Sequence, residues 1–197
     1  MPFGKLVVVC GPMFAGKTTY LINGITVGYI NHVPCKTPKV YKHTNDLARR
    51  GTEDLVSHKK QKRDATCIGD NDIKEMLHSE AVFKKIIEQH DWVILDEVQF
   101  FDAELIFNLC HKFLAAGINI CCASLNQDSF GKPFGGIGNL MAMADNVILL
   151  HASCDICKRA ATKTQRLVAS TEKVVVGGED MFQPRCLEHW SPSPKSK

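Results

Sequence analysis

The chain has 197 residues, of which 45 % are hydrophobic and 23 % charged, with a net charge of +3. This composition excludes a disordered, collagen-like or coiled-coil chain, and the length predicts one domain with at most a small appendage. The weak net charge does not argue for a nucleic-acid or membrane partner, and no apolar run approaches the roughly 20 residues of a membrane span. The nine cysteines are an odd number, which favours metal ligands and buried thiols over a disulfide scaffold.

Apolar runs alternate with amphipathic stretches through the first 150 residues. Leu6–Cys10 and Trp92–Leu95 are continuous apolar runs, typical of strands covered on both faces. Helices are predicted from near Lys17, over 72–90 and after Asp102, a plausible N-cap. The further predicted strands are 39–41, 118–125 and 146–150. This alternation predicts an α/β fold with a mainly parallel sheet flanked by helices.

The composition and periodicity of the sequence change after residue 151. Helical periodicity ends there, and cysteine, glycine and short β-branched runs become frequent. We therefore predict an α/β domain over 1–150 and a small second subdomain over 151–190. Residues 191–197 have no apolar side chain and are expected to be a disordered tail. The N-terminus does not read as a signal peptide, so a cytoplasmic protein is expected.

One segment fits the phosphate-binding pattern G-x-x-x-x-G-K-[ST]. It comprises Gly11, Pro12, Met13, Phe14, Ala15, Gly16, Lys17 and Thr18. In this pattern backbone N–H groups and the following helix N-terminus point at phosphates, Lys17 reaches the β- and γ-phosphates, and the Thr18 hydroxyl ligates Mg²⁺. The alternative is a chance match, but the strand before and the helix after it are both present. The motif predicts ATP binding by a fold like that of the P-loop NTPases.

Asp96 and Glu97 follow the predicted strand 92–95. An acid at this edge of a parallel sheet faces the phosphate loop and can hold a metal ion through water. Neighbouring strand residues point to opposite sides, so the two carboxylates are expected to have different roles. The alternative is that one of them caps the following turn.

Two short ligand pairs lie in the second subdomain. They are Cys154-x-x-Cys157 and Cys186-x-x-His189. Four such ligands close a tetrahedral site, which predicts a structural zinc ion that ties together a unit too small for its own core. The alternatives are two unrelated pairs with a buried histidine, or a redox Cys-x-x-Cys, for which the surroundings offer no thioredoxin-like context.

Several segments occur in one characteristic order. They are GPMFAGKT (11–18), LDEVQFF (95–101), SLNQDSFGKPFGG (124–136), CDIC (154–157) and VVGGEDMF (175–182). From about Leu6 to His189 this order resembles the cytosolic, type II thymidine kinases; PMF, DE-x-QFF and KPFG are the most specific elements. The resemblance implies transfer of the γ-phosphate of ATP to the 5′-hydroxyl of thymidine, and of deoxyuridine, in pyrimidine deoxynucleoside salvage for DNA synthesis.

The resemblance also implies roles for individual residues. Glu97 stands at the position of the general base, and Asp96 at that of the acid that holds Mg²⁺ through water. The stretch 173–182 corresponds to a loop that closes over the nucleoside and is tied down by zinc. The residues matching positions around the nucleoside are Met13, Phe100, Leu125, Phe134, Thr164, Arg166, Val174, Val176, Gly177 and Phe182.

Without the resemblance, Phe100, Phe101 and Phe134 would be interpreted as core residues; the resemblance moves Phe100 and Phe134 into the site and leaves Phe101 in the core. The family is typically homotetrameric and is feedback-inhibited by thymidine triphosphate, so both properties are expected here. No nucleic-acid or membrane partner is expected.

This sequence departs from the family pattern in three places. The usual Asp-x-Arg pair is replaced by wider spacing among Asp46, Arg49 and Arg50, to which no role is assigned. Ser129 stands where an aromatic residue often packs near the base, and Phe182 where tyrosine is common. These changes could alter affinity or the tolerance for other pyrimidines.

Two other functions compete with a nucleoside kinase at this level. One is a nucleic-acid-dependent ATPase with a zinc ribbon, for which the charged stretch 58–63 would be the candidate patch. That stretch has no interleaved aromatic residues and is better explained as a solvated loop. The other is a silent nucleotide-binding protein, against which the intact Lys17 and Glu97 argue, while the altered spacing of the Asp46–Arg50 region keeps it open.

Overall fold

The computed structural model describes residues 3–46, 51–52, 54–57, 60–168, 177–178 and 180–192. The predictions made for Arg49, Arg50, Val174 and Val176 lie outside these residues. So do residues 58–59 of the charged stretch, half of the predicted closing loop (173–176 and 179) and residues 193–197 of the predicted tail.

The helices and strands of the first half are β1 (Leu6–Cys10), α1 (Lys17–Val27), β2 (Tyr29–Ile30), β3 (Val33–Pro34), β4 (Pro38–His43), β5 (Leu55–Val56), β6 (Lys62–Arg63), β7 (Thr66–Ile68), α2 (Asp70–His78) and α3 (Glu80–Gln89). The second half contains β8 (Trp92–Asp96), a 3₁₀ turn (Val98–Phe100), α4 (Ala103–Ala115), β9 (Asn119–Ser124), α5 (Ile137–Met143), β10 (Asn146–Leu149), β11 (Ala152–Ser153), β12 (Ala160–Ala161), β13 (Lys163–Arg166), β14 (Phe182–Arg185) and a second 3₁₀ turn (Leu187–His189).

Six strands form one central sheet in the order β10-β1-β9-β8-β4-β7. Every neighbouring pair in this sheet is parallel. All five residues of β1 and all five of β8 are buried, as a sheet covered on both faces requires. The predicted α/β fold with a mainly parallel sheet is confirmed.

The two faces of the sheet bury separate hydrophobic clusters. Val7 and Val9 pack with Leu21 of α1, whereas Val8 packs with Phe113 of α4 on the other face. Alternation along each strand sends successive side chains to opposite faces, so an unbroken apolar run is what both clusters need. The sheet therefore holds the carboxyl ends of β1, β8 and β9 in fixed register, where the sequence places its phosphate loop and acids.

The single helical stretch expected over 72–90 is wrong in one respect, because two helices occupy it. α2 ends and α3 begins at Ser79, whose backbone is extended at φ −94° and ψ 106°. The Ser79 hydroxyl accepts a hydrogen bond from the backbone N–H of Val82 at 3.4 Å and so caps α3. Apolar spacing continues across the break, so periodicity alone could not show it.

Small antiparallel ladders replace the parallel sheet after β10. β11 pairs with β12, and β13 pairs with β14. Among the residues that the structure describes here, the buried members of the associated hydrophobic cluster are Cys154, Ala161 and Cys186. The proposed boundaries at 150/151 and 190/191 remain predictions. Across the described residues, none of the helices has the length and apolar character needed to cross a membrane.

Candidate active site

The phosphate loop leaves β1 through a glycine and enters α1 through another. Gly11 has φ 151°, and a Cβ there would lie 2.2 Å from the carbonyl oxygen of Leu150. Gly16 has φ 85° and directly precedes the first residue of α1. Phe14 also adopts a positive φ, 65°. Only glycine fits at Gly11 without displacing backbone. The close approach of the Leu150 backbone therefore explains the motif's first glycine.

Lys17 and Thr18 lie at the N-terminal end of α1. Lys17 Nζ donates to the carbonyl oxygens of Gly11 at 3.2 Å and Pro12 at 2.7 Å. The Thr18 hydroxyl donates to Asp96 Oδ2 at 3.0 Å. Thus the loop, the helix and the end of β8 are joined by side-chain hydrogen bonds.

Asp96 is a strongly perturbed acid. Burial, with the nearby charges of Glu97 and Asp46, raises its pKa to about 7, although the Thr18 hydrogen bond and Lys17 act in the opposite direction. A buried carboxylate in this position is stabilised by a cation. The Thr18 hydroxyl and the Asp96 carboxylate are oxygen donors of the kind that Mg²⁺ prefers, so the residues present fit this metal.

Glu97 lies just beyond β8 in a left-handed backbone conformation, with φ 57°. The alternation expected for two neighbouring strand residues does not apply, because the strand ends at Asp96. The backbone N–H of Glu97 donates to Asp96 Oδ1 at 3.0 Å, and Glu97 Oε2 accepts from Gln99 Nε2 at 2.5 Å. A non-glycine residue in this region is strained, a feature that concentrates at functional sites.

A cavity that is open to solvent at its mouth lies beside these residues. The predicted site residues that line it are Met13, Phe14, Gly16, Lys17, Thr18, Glu97, Phe100, Leu125, Phe134, Thr164, Arg166, Gly177 and Phe182. The structure therefore brings the phosphate loop, Glu97 and the predicted nucleoside positions to one space.

Aromatic side chains form one wall of this cavity. Phe100 and Phe134 meet edge to face, with ring centroids 5.8 Å apart. His43 packs against Phe100 at 5.7 Å and against Phe101 at 4.6 Å. Phe101 is buried in the core cluster, and its expected place in the core agrees with this.

The phosphate loop is tied to the C-terminal region by β13. The backbone N–H of Met13 donates to the Thr164 hydroxyl at 3.0 Å. Two residues along, Arg166 is buried with its guanidinium over the Phe130 ring, and burial lowers its pKa while Asp128 opposes that shift. β13 thus contributes to the pocket and also contacts the loop that would hold ATP.

Trp190 joins the region of the predicted zinc site to the same pocket. Its indole Nε1 donates to the carbonyl oxygen of Thr164 at 3.3 Å. Its ring covers Gly131, where an added Cβ would lie 2.8 Å from the ring. Lys163 Nζ lies 5.3 Å from the centre of the ring and donates to Gln127 Oε1 at 2.6 Å. Trp190 directly follows the ligand His189, so the four-residue cluster and the pocket share this contact.

The four predicted metal ligands lie together, with all their ligand atoms within 4.8 Å of one another. Cys157 Sγ is 3.7 Å from Cys186 Sγ, and His189 Nδ1 is 3.8 Å from Cys154 Sγ and 3.3 Å from Cys186 Sγ. Zinc–sulfur bonds of about 2.3 Å in a tetrahedron give ligand separations of about 3.8 Å. Arg159 donates to Cys157 Sγ and lowers the pKa of that thiol, favouring the thiolate that zinc requires. The cluster fits a tetrahedral zinc ion.

The departures from the family pattern have different fates. Asp46 is buried and paired with the fully buried Lys42 at 3.2 Å. Ser129 lines the cavity, and its hydroxyl is buried without a hydrogen-bond partner among the described residues. Phe182 lines the cavity from β14. In the charged stretch, the described Lys62 and Arg63 are exposed.

Sequence reasoning did not assign several polar residues that line the cavity. They are Thr19, Asn45, Gln99, Gln127 and Asp128. Gln99 had a signal, because it is a polar residue inside the otherwise apolar stretch Val98–Phe101 and is nevertheless buried. Thr19 lies in the first turn of α1, next to the motif, whereas Gln127 and Asp128 are brought to the cavity by a loop whose path periodicity does not predict.

Comparisons with known proteins show which family the chain resembles. The family model described as thymidine kinase matches residues 4–190. A curated thymidine kinase from Pyrobaculum aerophilum is 35 % identical over 192 residues, covering 94 % of this chain and 97 % of the relative. Among solved structures, a genome packaging NTPase of Sulfolobus turreted icosahedral virus 2, in complex with sulfate, has a TM-score of 0.47 at 13 % identity, covering 80 % of this chain and 78 % of that one. The family match, which spans nearly the whole chain, and the curated relative establish that the chain belongs to the thymidine kinase family.

Proposed function

We propose that the cavity binds thymidine with its 5′-hydroxyl directed at Glu97, while the phosphates of ATP lie on the loop 11–18. Family membership gives the reaction, ATP-dependent phosphorylation of thymidine for nucleotide salvage. The observation that carries the residue assignment is the shared cavity, whose lining includes Lys17, Thr18, Glu97, Phe134 and Thr164.

Glu97 is the general base of this proposal. Its carboxylate accepts the 5′-hydroxyl proton as that oxygen attacks the γ-phosphorus, the bond to the bridging oxygen breaks, and ADP departs. Lys17 exchanges its present carbonyl partners, Gly11 and Pro12, for phosphate oxygens. The aromatic wall of Phe100 and Phe134 excludes water, the competing acceptor of the phosphoryl group.

Metal ions have two separate roles in the proposal. Thr18 and Asp96 are the residues that would hold Mg²⁺, which neutralises charge on the transferring phosphates when it is bound. Cys154, Cys157, Cys186 and His189 would hold zinc as a structural ion, since a four-ligand site leaves no open position. The zinc site then anchors the stretch 173–182 over the nucleoside, together with the proposed contacts from Val174, Val176 and Gly177.

Feedback inhibition by thymidine triphosphate is part of the same proposal. One molecule carrying a thymine base and a triphosphate could occupy the pocket and the phosphate loop together, because both line one cavity. A homotetramer is also proposed. Exposed apolar side chains support self-association: Val27 at the end of α1, Tyr29 in β2, and Val147 and Leu149 on β10 at the edge of the sheet.

ADP release in the presence of Mg-ATP, with and without thymidine, tests the assignment of Glu97. We expect thymidine-dependent turnover, and in Glu97→Gln a kcat lower by roughly 10²–10⁴-fold, the usual contribution of a general base. Thymidine binding by the variant, measured by calorimetry, serves as the control for a folded pocket. A variant that keeps the wild-type kcat would show that another group accepts the proton.

A further inference from the structure

Gln99 makes hydrogen bonds with both ends of its side-chain amide. Nε2 donates to Glu97 Oε2 at 2.5 Å. Oε1 accepts from the backbone N–H of Leu125 at 3.1 Å, and the Ser124 hydroxyl lies 2.9 Å from the same oxygen. Gln99 is 3 % exposed and Glu97 8 %. The amide therefore forms a buried bridge between the acid after β8 and the end of β9.

The orientation of this amide is determined by the backbone. The N–H of Leu125 can only donate, so it faces the oxygen of the Gln99 amide rather than the nitrogen. The NH₂ group must then point to the other side, where the Glu97 carboxylate lies. The parallel pairing of β8 with β9 fixes the distance between the two attachment points, so the bridge is held by the sheet itself.

We propose that Gln99 is a positioning residue for phosphoryl transfer, which holds the Glu97 carboxylate in the orientation that accepts the 5′-hydroxyl proton. The proposal rests on the proposed role of Glu97 as general base. Glu97 has the strained backbone of φ 57° and needs a partner that limits rotation of its side chain, because general-base catalysis depends on geometry at hydrogen-bond range. The short contact from Gln99 supplies that restraint.

A direct contact between Gln99 and the nucleoside is the competing explanation, since Gln99 also lines the cavity. Both ends of its amide already have protein partners, which favours positioning over binding. The two roles differ in kinetics: loss of a substrate contact raises KM, whereas loss of a positioning contact lowers kcat with KM nearly unchanged.

The test is a double-mutant cycle of Gln99→Met with Glu97→Gln in the full-length enzyme, measuring kcat, KM and the thymidine dissociation constant. Methionine keeps the length of glutamine and removes both polar ends. We expect kcat to fall about 10- to 100-fold in Gln99→Met, the effect of losing a hydrogen bond to a charged group, with KM and thymidine affinity within about threefold. In the Glu97→Gln background the same change should lower kcat little further.

Three results would overturn the proposal. They are an unchanged kcat in Gln99→Met, a rise in KM alone, or the same loss of kcat in the Glu97→Gln background. The third result would show that Gln99 supports the structure of the site rather than the orientation of Glu97. Full activity of Glu97→Gln would remove the proposed function and this inference together, whereas an inactive Glu97→Gln with unchanged Gln99→Met removes only the inference.

Two further variants guard against misfolding. Ser124→Ala removes the hydroxyl beside Gln99 Oε1 and leaves the Leu125 N–H, so kcat should stay within about threefold of wild type. If Gln99→Met does not fold, Gln99→Glu retains the shape and the acceptor for Leu125 but places a second carboxyl group against Glu97. Two carboxyl groups at this distance share a proton, so kcat should reach its plateau only at a higher pH than in wild type. A wild-type kcat with an unchanged pH profile would contradict the proposal.

Discussion

The central sheet and the cysteine-containing region after β10 are stabilised by different means. The sheet buries large side chains on both faces, among them Trp92, Leu95 and Phe113, each 0 % exposed. The later region has a hydrophobic cluster whose buried members are Cys154, Ala161 and Cys186. Two of those three are proposed zinc ligands. In this region the proposed zinc ion would therefore supply the stabilisation that the hydrophobic core supplies to the sheet.

This difference shows how one active site can combine two parts. One part is held by the buried strands of the sheet, and the other depends on a bound ion. The phosphate loop and Glu97 follow buried strands and inherit their fixed register. Thr164 and Phe182 are carried by the short ladder of β13 and β14, whose neighbours are the four ligands. We therefore expect loss of the metal to remove nucleoside binding while leaving the sheet folded.

Removal of zinc has the largest expected effect. Apparent binding energies of structural zinc are about 10–16 kcal/mol in small domains, far more than the small cluster around Ala161 contributes. In Cys186→Ser, or after treatment with a strong chelator, we expect zinc content and thymidine-dependent turnover to be lost, and the stretch 151–190 to become sensitive to protease. Metal analysis and limited proteolysis of the full chain measure these effects.

Phe113→Ala is the matched control in the sheet. Phe113 is buried and packs on Phe83, with ring centroids 5.0 Å apart, so the substitution should lower the free energy of unfolding by about 3–5 kcal/mol and leave the zinc content unchanged. If Cys186→Ser and Phe113→Ala lower the free energy of unfolding of the sheet equally, the two regions unfold as one unit. That result would contradict the separate stabilisation of the two regions.

Trp190 is the next most sensitive point, because it connects the two regions. Trp190→Ala should raise the KM for thymidine about 10-fold through the loss of the ring over Gly131 and the hydrogen bond to Thr164, with kcat and zinc content nearly unchanged. Trp190→Phe keeps an aromatic ring but loses the hydrogen bond and the outer atoms of the indole that cover Gly131, so a change between about threefold and 10-fold is expected. Trp92 is the other tryptophan of the chain and is fully buried, so a fluorescence change on thymidine binding that disappears in Trp190→Phe would report this contact.

A fall in kcat without a change in KM in Trp190→Ala would contradict this assignment. It would indicate that Trp190 acts on the chemistry through Thr164 and Met13 rather than on nucleoside binding.

The sequence predicts the motifs within each of the two regions better than it predicts the contacts between elements. The loop 11–18, the acids after β8 and the Cys/His pairs have spacings set by local geometry, so a single sequence shows them. Gln99 and Trp190 contact partners on other elements, Leu125 and Gly131, whose proximity depends on the tertiary fold. The break at Ser79 was missed for a related reason, since the apolar stripe continues across it.

Ser129 carries the smallest predicted effect and concerns the boundary between the two regions. Its hydroxyl is buried without a partner among the described residues, and an unsatisfied buried hydroxyl costs free energy that alanine does not. Ser129→Ala should therefore raise the free energy of unfolding of the ligand-free enzyme by about 1 kcal/mol, as measured by urea denaturation. Ser57→Ala is the matched control: Ser57 is also buried, but its hydroxyl accepts from the backbone N–H of Gln61 at 3.2 Å, so the same change should lower stability. If both variants lose stability equally, the Ser129 hydroxyl has a stabilising hydrogen-bond partner. The buried polar groups of the 124–136 loop would then be hydrogen-bonded as completely as those of the strands that flank it.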